Sequence, residues 1–242
     1  MERSNTYIFV YSIILVVVVA AVLSFTAFSL KDLQNANVAN EKRQNILSSI
    51  DIQVEASNAK EAYKKYIKES FLVKPTGETS EYLLVKNDQG FDTITAFDID
   101  MTKLYTQEAS ERNLPIFKAE KEGVTYLIIP LMGKGLWGPI WGYISLLGDI
   151  NTVNGAVFDH QGETAGLGAE INKDKFELQF SGKKIFDEEG TFKSIRAIKG
   201  GAIDGDVHGV DAISGGTITC NGVNDMIYTC LNGYVKYFES IK

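Results

Sequence analysis

The chain is poor in the residues that build metal and thiol chemistry. It has two cysteines, Cys220 and Cys230, and two histidines, His160 and His208, in 242 residues. No metal-ligand set with the usual spacing can be assembled from them. If both cysteines lie on one C-terminal helix, roughly 15 Å of rise separates them, too far for a disulfide. They read as small apolar residues. Positive charge is not in excess either: Lys and Arg number 24 against 31 Asp and Glu, a formal net charge of −7. That balance argues against nucleic acid as a partner. There is no internal repeat and no low-complexity segment. No P-loop and no Rossmann fingerprint is present. No acid–base pair or activated nucleophile stands out as a complete active site.

What is present begins with a long apolar run. No charged residue occurs from Ser4 to Leu30, and Tyr7 to Phe28 is dominated by Ile, Leu, Val, Ala and Phe. About 20 apolar residues span a bilayer. The competing reading is a signal peptide, whose apolar core is normally about 7–15 residues. This run is longer, so an uncleaved anchor is favoured. Its orientation is not decided by charge: Arg3 precedes the run, while Lys31, Lys42 and Arg43 follow it together with Asp32 and Glu41. Lys31 to Ile50 has no proline or glycine and reads as a continuing helix.

Beyond it the pattern changes twice. Asn58 and Glu61 read as a capping pair opening a helix through Phe71, with Ala62, Tyr66 and Ile67 inward. From Glu81 onward, short β-branched or aromatic runs alternate with glycine-rich turns. Tyr82–Val85, Val124–Ile129, Ile140–Leu147, Gly155–Phe158 and Lys193–Ile198 are expected strands. Residues 86–122 are ambiguous, with a helix expected around Met101–Arg112. Apolar residues from Val223 to Phe238 recur at steps of three and four and predict a last helix over 221–238, with Thr219 as its N-cap. The fold class expected is α+β: one N-terminal transmembrane helix, then a soluble domain with a mostly antiparallel sheet and flanking helices.

Four stretches are candidates for chemistry. Asp211-Ala-Ile-Ser-Gly-Gly-Thr217 places Thr217 in a glycine-loosened turn ahead of a helix N-terminus, where free N–H groups and the dipole favour a phosphate. The same residues also make an ordinary turn and cap. Asp159 to Glu170 is a glycine-rich loop after a strand, able to bring backbone close to a flat ligand, with Glu163 and Thr164 as polar groups. Gly133 to Gly142 carries Trp137 and Trp141, which suit either ring stacking or core packing. Lys199-Gly-Gly-Ala202 offers a lysine to a phosphate or carbonyl, or is a solvated turn.

Asp211, Ser214, Gly215, Gly216 and Thr217 together resemble the recognition motif of the bacterial FMN transferase. That enzyme joins FMN to a threonine hydroxyl by a phosphoester bond. The resemblance makes Thr217 the acceptor and Asp211 part of the transferase recognition. Glycine stands at Gly216, where the pattern usually has alanine. The ordered set Lys42–Leu47, Gly135-Leu-Trp137, Gly162-Glu-Thr-Ala-Gly-Leu-Gly168, Lys199-Gly-Gly-Ala202 and Ser214-Gly-Gly-Thr217 resembles the C subunit of the sodium-translocating NADH:quinone reductase, over nearly the whole chain. Ala165 stands where that family often has proline. The related G subunit of the Rnf complex is the alternative, as is a cofactor-free anchored scaffold.

The resemblance implies a transmembrane anchor over 1–30, a juxtamembrane helical segment over 31–72 and an FMN-binding domain over 73–242. It implies one covalent FMN, with Glu163, Thr164, Leu167 and Gly168 lining the isoalloxazine and Trp137 and Lys199 nearby. It further implies membrane lipid, the FMN transferase and the other subunits of a redox complex as partners. The location implied is the bacterial inner membrane with the soluble domain periplasmic. Electrons would pass from NADH toward quinone, coupled to sodium export, with no complete active site in this chain alone.

Overall fold

A computed structural model describes residues 4–87 and 90–241. Arg3 of the orientation argument, and Asp88 and Gln89 of the ambiguous stretch 86–122, lie outside the described residues. Helix α1, Asn5–Ser48, is continuous because its 44 residues contain neither glycine nor proline. It is the one helix, among the described residues, long and apolar enough to cross a membrane; its most apolar 18-residue window has a mean hydropathy of 2.9 and is unburied. Hydroxyls within that run donate back to the preceding turn, Thr26 Oγ1 to the Val22 carbonyl and Ser29 Oγ to the Phe25 carbonyl, both at 2.8 Å. Such bonds leave no polar group unpaired in an apolar surrounding.

The chain divides into two compact units between Lys42 and Arg43. The last turns of α1 belong to the second unit, since Ile46 and Ile50 are fully buried in its core.

In the second unit α2, Ala59–Tyr66, leads directly into β1, Ile67–Val73. The helix expected through Phe71 therefore stops five residues early. Asn58 is its N-cap residue but makes no side-chain cap bond. Ile67–Val73 instead pairs antiparallel with β5, Leu114–Lys121, a long-range contact that local pattern does not reveal. The ambiguous stretch resolves into a hairpin of β3, Tyr82–Asn87, and β4, Gly90–Thr95, then the single turn α3, Met101–Leu104. Asp100 caps α3 by accepting from the Thr102 and Lys103 N–H groups. A 3₁₀ turn at Ala109–Glu111 separates α3 from β5, so the helix expected to Arg112 is broken.

The main sheet has six strands in the order β2-β1-β5-β6-β7-β8, all antiparallel, with β2 at Thr79–Ser80, β6 at Val124–Lys134, β7 at Pro139–Leu147 and β8 at Val153–His160. Alternation along the strands sends side chains to two cores. Leu127, Ile129 and Leu131 of β6 join Ile144 and Leu146 of β7 on one face. Tyr126 and Ile128 join Phe117, Ala119 and Tyr143 on the other, with Ile46 and Ile50.

The first face is covered by α5, Thr217–Asn232, through Val223, Met226, Ile227 and Cys230. The approach is close. A Cβ on Gly133 would stand 2.6 Å from the Met226 Cβ, and one on Gly222 would stand 2.3 Å from the Lys134 carbonyl oxygen. Glycine on both partners thus lays α5 directly along the end of β6. The predicted single C-terminal helix breaks at Gly233, and α6 follows over Val235–Ile241. Between them Tyr234 is fully buried and donates its hydroxyl to the Pro115 carbonyl at 2.8 Å. Both cysteines lie buried and unbridged on α5, and burial pushes both thiols up.

After β8 come a 3₁₀ turn at Gly168–Asn172 and the short α4, Asp174–Glu177. Strand β9 is only Arg196–Ile198, shorter than the expected 193–198, and it pairs in parallel with β10, Gly209–Asp211. Ser194, just before it, is buried with φ at +64°, a conformation that ends any extended pairing there.

Glu177 gives a pH dependence. Its Oε1 accepts the Phe158 N–H at 2.6 Å. Burial pushes its carboxyl up from 4.5 to about 7; the Phe158 N–H opposes that rise, and Asp174 and Asp159 add to it. A folded-state value above the unfolded one means that stabilisation is complete below about 4.5 and is lost as pH rises through about 7. Glu177→Gln keeps an acceptor for Phe158 and removes the titration. Thermal denaturation of the detergent-solubilised chain should show a gain of about 1–2 kcal/mol at pH 8 and little change near pH 4. Equal effects at both pH values would contradict the assignment.

Candidate functional site

The site is built where α5 begins. Gly215 turns the chain at φ +75°, and the Gly216 N–H donates to the Ile213 carbonyl at 3.0 Å. The Gly216 carbonyl then accepts the Cys220 N–H at 2.8 Å and closes the first helical turn. Gly216 is therefore the N-cap residue and the helix starts at Thr217, four residues before the expected start. Thr219 is not the cap. It is the third helical residue, 2% exposed, and its hydroxyl points away to Glu163. Among the described residues no side-chain cap bond is made at this end. The first N–H groups of a helix have no intrahelical acceptor, so this end has the polarity to suit an anion, and Thr217 is exposed at its tip.

Beside Thr217 lies a cleft of about 470 Å³, walled by Lys199, Gly200, Gly201, Asp211–Gly215 and Thr217. The parallel β9–β10 pair brings its two walls together, with Asp211 opposite Ile198. Asp211 Oδ1 accepts the Ala202 N–H at 2.8 Å, and a Cβ on Gly201, whose φ is +101°, would stand 3.3 Å from that oxygen. So Asp211 ties the Lys199-Gly-Gly-Ala202 turn to the Ser214-Gly-Gly-Thr217 turn. Nothing in the local spacing of the sequence brings Asp211 to residue 202.

The glycine loop forms the other half. Glu163 is 7% exposed. Its Oε1 accepts the Trp137 N–H at 2.9 Å, and its Oε2 accepts the Thr219 hydroxyl at 2.5 Å. The Trp137 indole N–H donates to Thr164 Oγ1 at 3.2 Å, while the residue remains 68% exposed. Leu167, 41% exposed, overlies the helix start: a Cβ on Gly215 would stand 2.5 Å from Leu167 Cδ2. A Cβ on Gly168 would stand 2.3 Å from Thr219 Oγ1, so only glycine fits there.

All the site residues expected from sequence thus meet around one helix N-terminus. Three further residues build the site although the sequence gives them no binding role there: Thr219, Gly135 and Ile213. Gly135 must be glycine because a Cβ would come within 2.5 Å of Glu163 Oε1. Ile213 packs under Gly216 and gives its N–H to Cys220 Sγ. The arrangement suits a ligand with a flat apolar ring against Trp137 and Leu167 and an anionic group at the helix tip.

Residues 135–232, which hold every residue of this site, match the family model described as FMN-binding domain. The C subunit of the Na(+)-translocating NADH-quinone reductase of Vibrio campbellii is 33% identical over 223 residues, covering 85% of this chain and 82% of that protein. The chain belongs to this C-subunit family. The Haemophilus ducreyi member is 30% identical over 237 residues, 95% of this chain and 91% of its own. The crystal structure of the Parabacteroides distasonis member is 46% identical, with a TM-score of 0.74 over 86% of this chain and 96% of that one. NqrC of Shewanella oneidensis superposes with a TM-score of 0.67 at 26% identity, over 84% and 97%.

Membership of this family decides against the Rnf alternative. The relatives are named as subunits of a Na(+)-translocating NADH-quinone reductase, and the apolar N-terminal helix of this chain fits anchoring in a membrane. The departure at Gly216 is sterically mild. An alanine Cβ there would stand 3.2 Å from the Ile213 side chain, a contact that a small shift accommodates. The glycine loop is less forgiving. Gly168→Ala drives a methyl between Thr219 and Glu163, and overpacking of this kind costs about 1–3 kcal/mol. Urea denaturation of the detergent-solubilised Gly168→Ala chain should show a loss of that size, and Gly216→Ala should fall within about 0.5 kcal/mol of the parent. Equal losses would show that the loop–helix contact is not tight.

Proposed function

We propose that the chain is the membrane-anchored, FMN-carrying electron-transfer subunit of a sodium-translocating NADH:quinone reductase, with FMN held by a phosphoester to Thr217. The carrying observation is the exposed Thr217 at an uncapped helix N-terminus, on the wall of the cleft that also holds Lys199. Of the three hydroxyl residues in the motif, Thr219 is buried and bonded to Glu163, which removes it as an acceptor. Ser214 lies before the helix, whereas Thr217 is its first residue, in the turn where the dipole is positive.

The residues present fit the cofactor. The N–H groups at the start of α5 and the Lys199 ammonium receive the phosphate; Gly215 and Gly216 let the backbone approach it. Trp137 and Leu167 offer apolar surface to the ring, and Thr164 and the glycine loop its polar edge. FMN, when bound, supplies the reversible uptake and release of electrons, and the protein supplies position and charge. A phosphoester tether keeps the cofactor from dissociating between transfers. Forming it joins the Thr217 oxygen to the phosphorus of FMN while the bond from that phosphorus to the leaving phosphate of an activated flavin dinucleotide donor breaks and the hydroxyl proton is released, a step for an FMN transferase that reads Asp211 to Thr217; relative to free FMN and threonine the product is short of one water.

On this reading the chain belongs to the bacterial inner membrane, in contact with lipid through its apolar helix, with the soluble domain on the periplasmic side. Electrons originating from NADH reach this flavin and leave to a neighbouring subunit on the way to quinone, and sodium export is a property of the whole complex. A cofactor-free scaffold is the competing reading.

Production of the chain with an active FMN transferase should give a yellow protein whose flavin fluorescence stays with the polypeptide after denaturation. Thr217→Ala should lose at least nine-tenths of that fluorescence while keeping its fold by circular dichroism. Denaturation-resistant flavin in Thr217→Ala would move the attachment elsewhere; a colourless parent would favour the scaffold.

A further inference from the structure

Glu163 is the one charged residue buried to below a tenth exposure among the described residues. No lysine, arginine or histidine side chain makes an ion pair with it in that set. Its two oxygens are instead occupied by a backbone N–H, that of Trp137, and a hydroxyl, that of Thr219. Both oxygens act as acceptors, the pattern of an ionised carboxylate. Its backbone is fixed as well, since the Glu163 N–H donates to His160 Nδ1 at 3.2 Å. Glycine at 135 and 168 lets the chain close on both oxygens, and any Cβ would strike them at 2.5 Å. Burying an unpaired charge is costly. This charge is tolerated because two donors and the N-terminus of α5 face it, Thr219 being in the same helical turn as Thr217.

The sequence resemblance casts Glu163 as a lining residue of the ring. The geometry gives it further work, because each oxygen already holds a donor from another segment. We propose that Glu163 is a positioning residue: a fixed negative charge that lowers the reduction potential of the bound flavin, and an anchor that holds the Trp137 turn beside the start of α5. The inference rests on the FMN reading above. Reduction adds negative charge to the ring system, and a fixed carboxylate within a helical turn of the attachment point disfavours it. In a buried site this effect is weakly screened. The anchoring follows from the covalent neighbourhood: the Trp137 main chain is held by Glu163 and its indole by Thr164, so two adjacent loop residues fix both ends of one exposed aromatic.

Two variants separate charge from anchor. Glu163→Gln keeps an acceptor for the Trp137 N–H and loses the charge; Glu163→Ala loses both. The full chain, in detergent and co-produced with the transferase, is titrated spectroelectrochemically. Emission is read on the same chains produced without the transferase, in a Trp141→Phe background, so that Trp137 alone reports. The expected results are a potential shifted upward in Glu163→Gln with unchanged emission wavelength and anisotropy, and in Glu163→Ala a Trp137 emission shifted to the red with lowered anisotropy. A Glu163→Gln potential equal to the parent overturns the charge assignment. Unchanged Trp137 emission in Glu163→Ala overturns the anchor. A parent chain that takes up no flavin overturns the FMN reading and the charge assignment with it, and the emission measurement still decides the anchor.

Discussion

The hydrogen bond between the Thr219 hydroxyl and Glu163 holds the site together. It joins residues 56 positions apart, one in the first turn of α5 and one in the loop after β8. Through the other carboxylate oxygen the same residue reaches the Trp137 turn between β6 and β7. Three segments that share no local sequence logic are thereby pinned to one helix end. The main sheet makes the junction possible, because β6, β7 and β8 are consecutive antiparallel neighbours, so the β6–β7 turn and the loop that leaves β8 lie at the same end of the sheet, by the N-terminus of α5. Glycines at 133 and 222 let α5 lie against β6 closely enough for its first turn to reach the loop.

A second constraint acts on the opposite side of Thr217. Asp211 ends β10, pairs across from Ile198 and accepts the Ala202 N–H. That bond sets the width of the cleft between the Lys199 turn and the Ser214 turn. The motif residue Asp211 thus has a structural task inside the folded chain, in addition to any role as a recognition feature. The result is a helix tip open to an anion on one side and an apolar, aromatic surface on the other, a division that matches a cofactor with a phosphate tail and a flat ring.

Much of this was legible in the sequence. The apolar run, the strands from β6 to β8 and the amphipathic face of α5 follow from periodicity, and the residues gathered at the helix tip stand in short motifs that carry the family resemblance. What escaped has physical reasons. Strand β1 was hidden because Tyr66, Ile67 and Phe71 also suit a helix, and only pairing with β5 decides between them. Strand β5 carries Lys118, Glu120 and Lys121, which mask its buried Leu114, Ile116, Phe117 and Ala119. The start of α5 was misplaced because Thr219 has a good capping side chain, yet that hydroxyl is claimed by Glu163. Such a bond between distant residues leaves no trace in local spacing.

The central claim is that Thr217, and no neighbouring hydroxyl, carries the flavin. Peptide mapping by mass spectrometry of the full chain, produced with an active FMN transferase and digested after purification, tests it directly. The account predicts an added mass of one FMN less one water, fragmenting to Thr217 within the peptide that spans Asp211 to Thr219. The same mass on Ser214 or Thr219, or an unmodified peptide while the transferase labels another target, would contradict it.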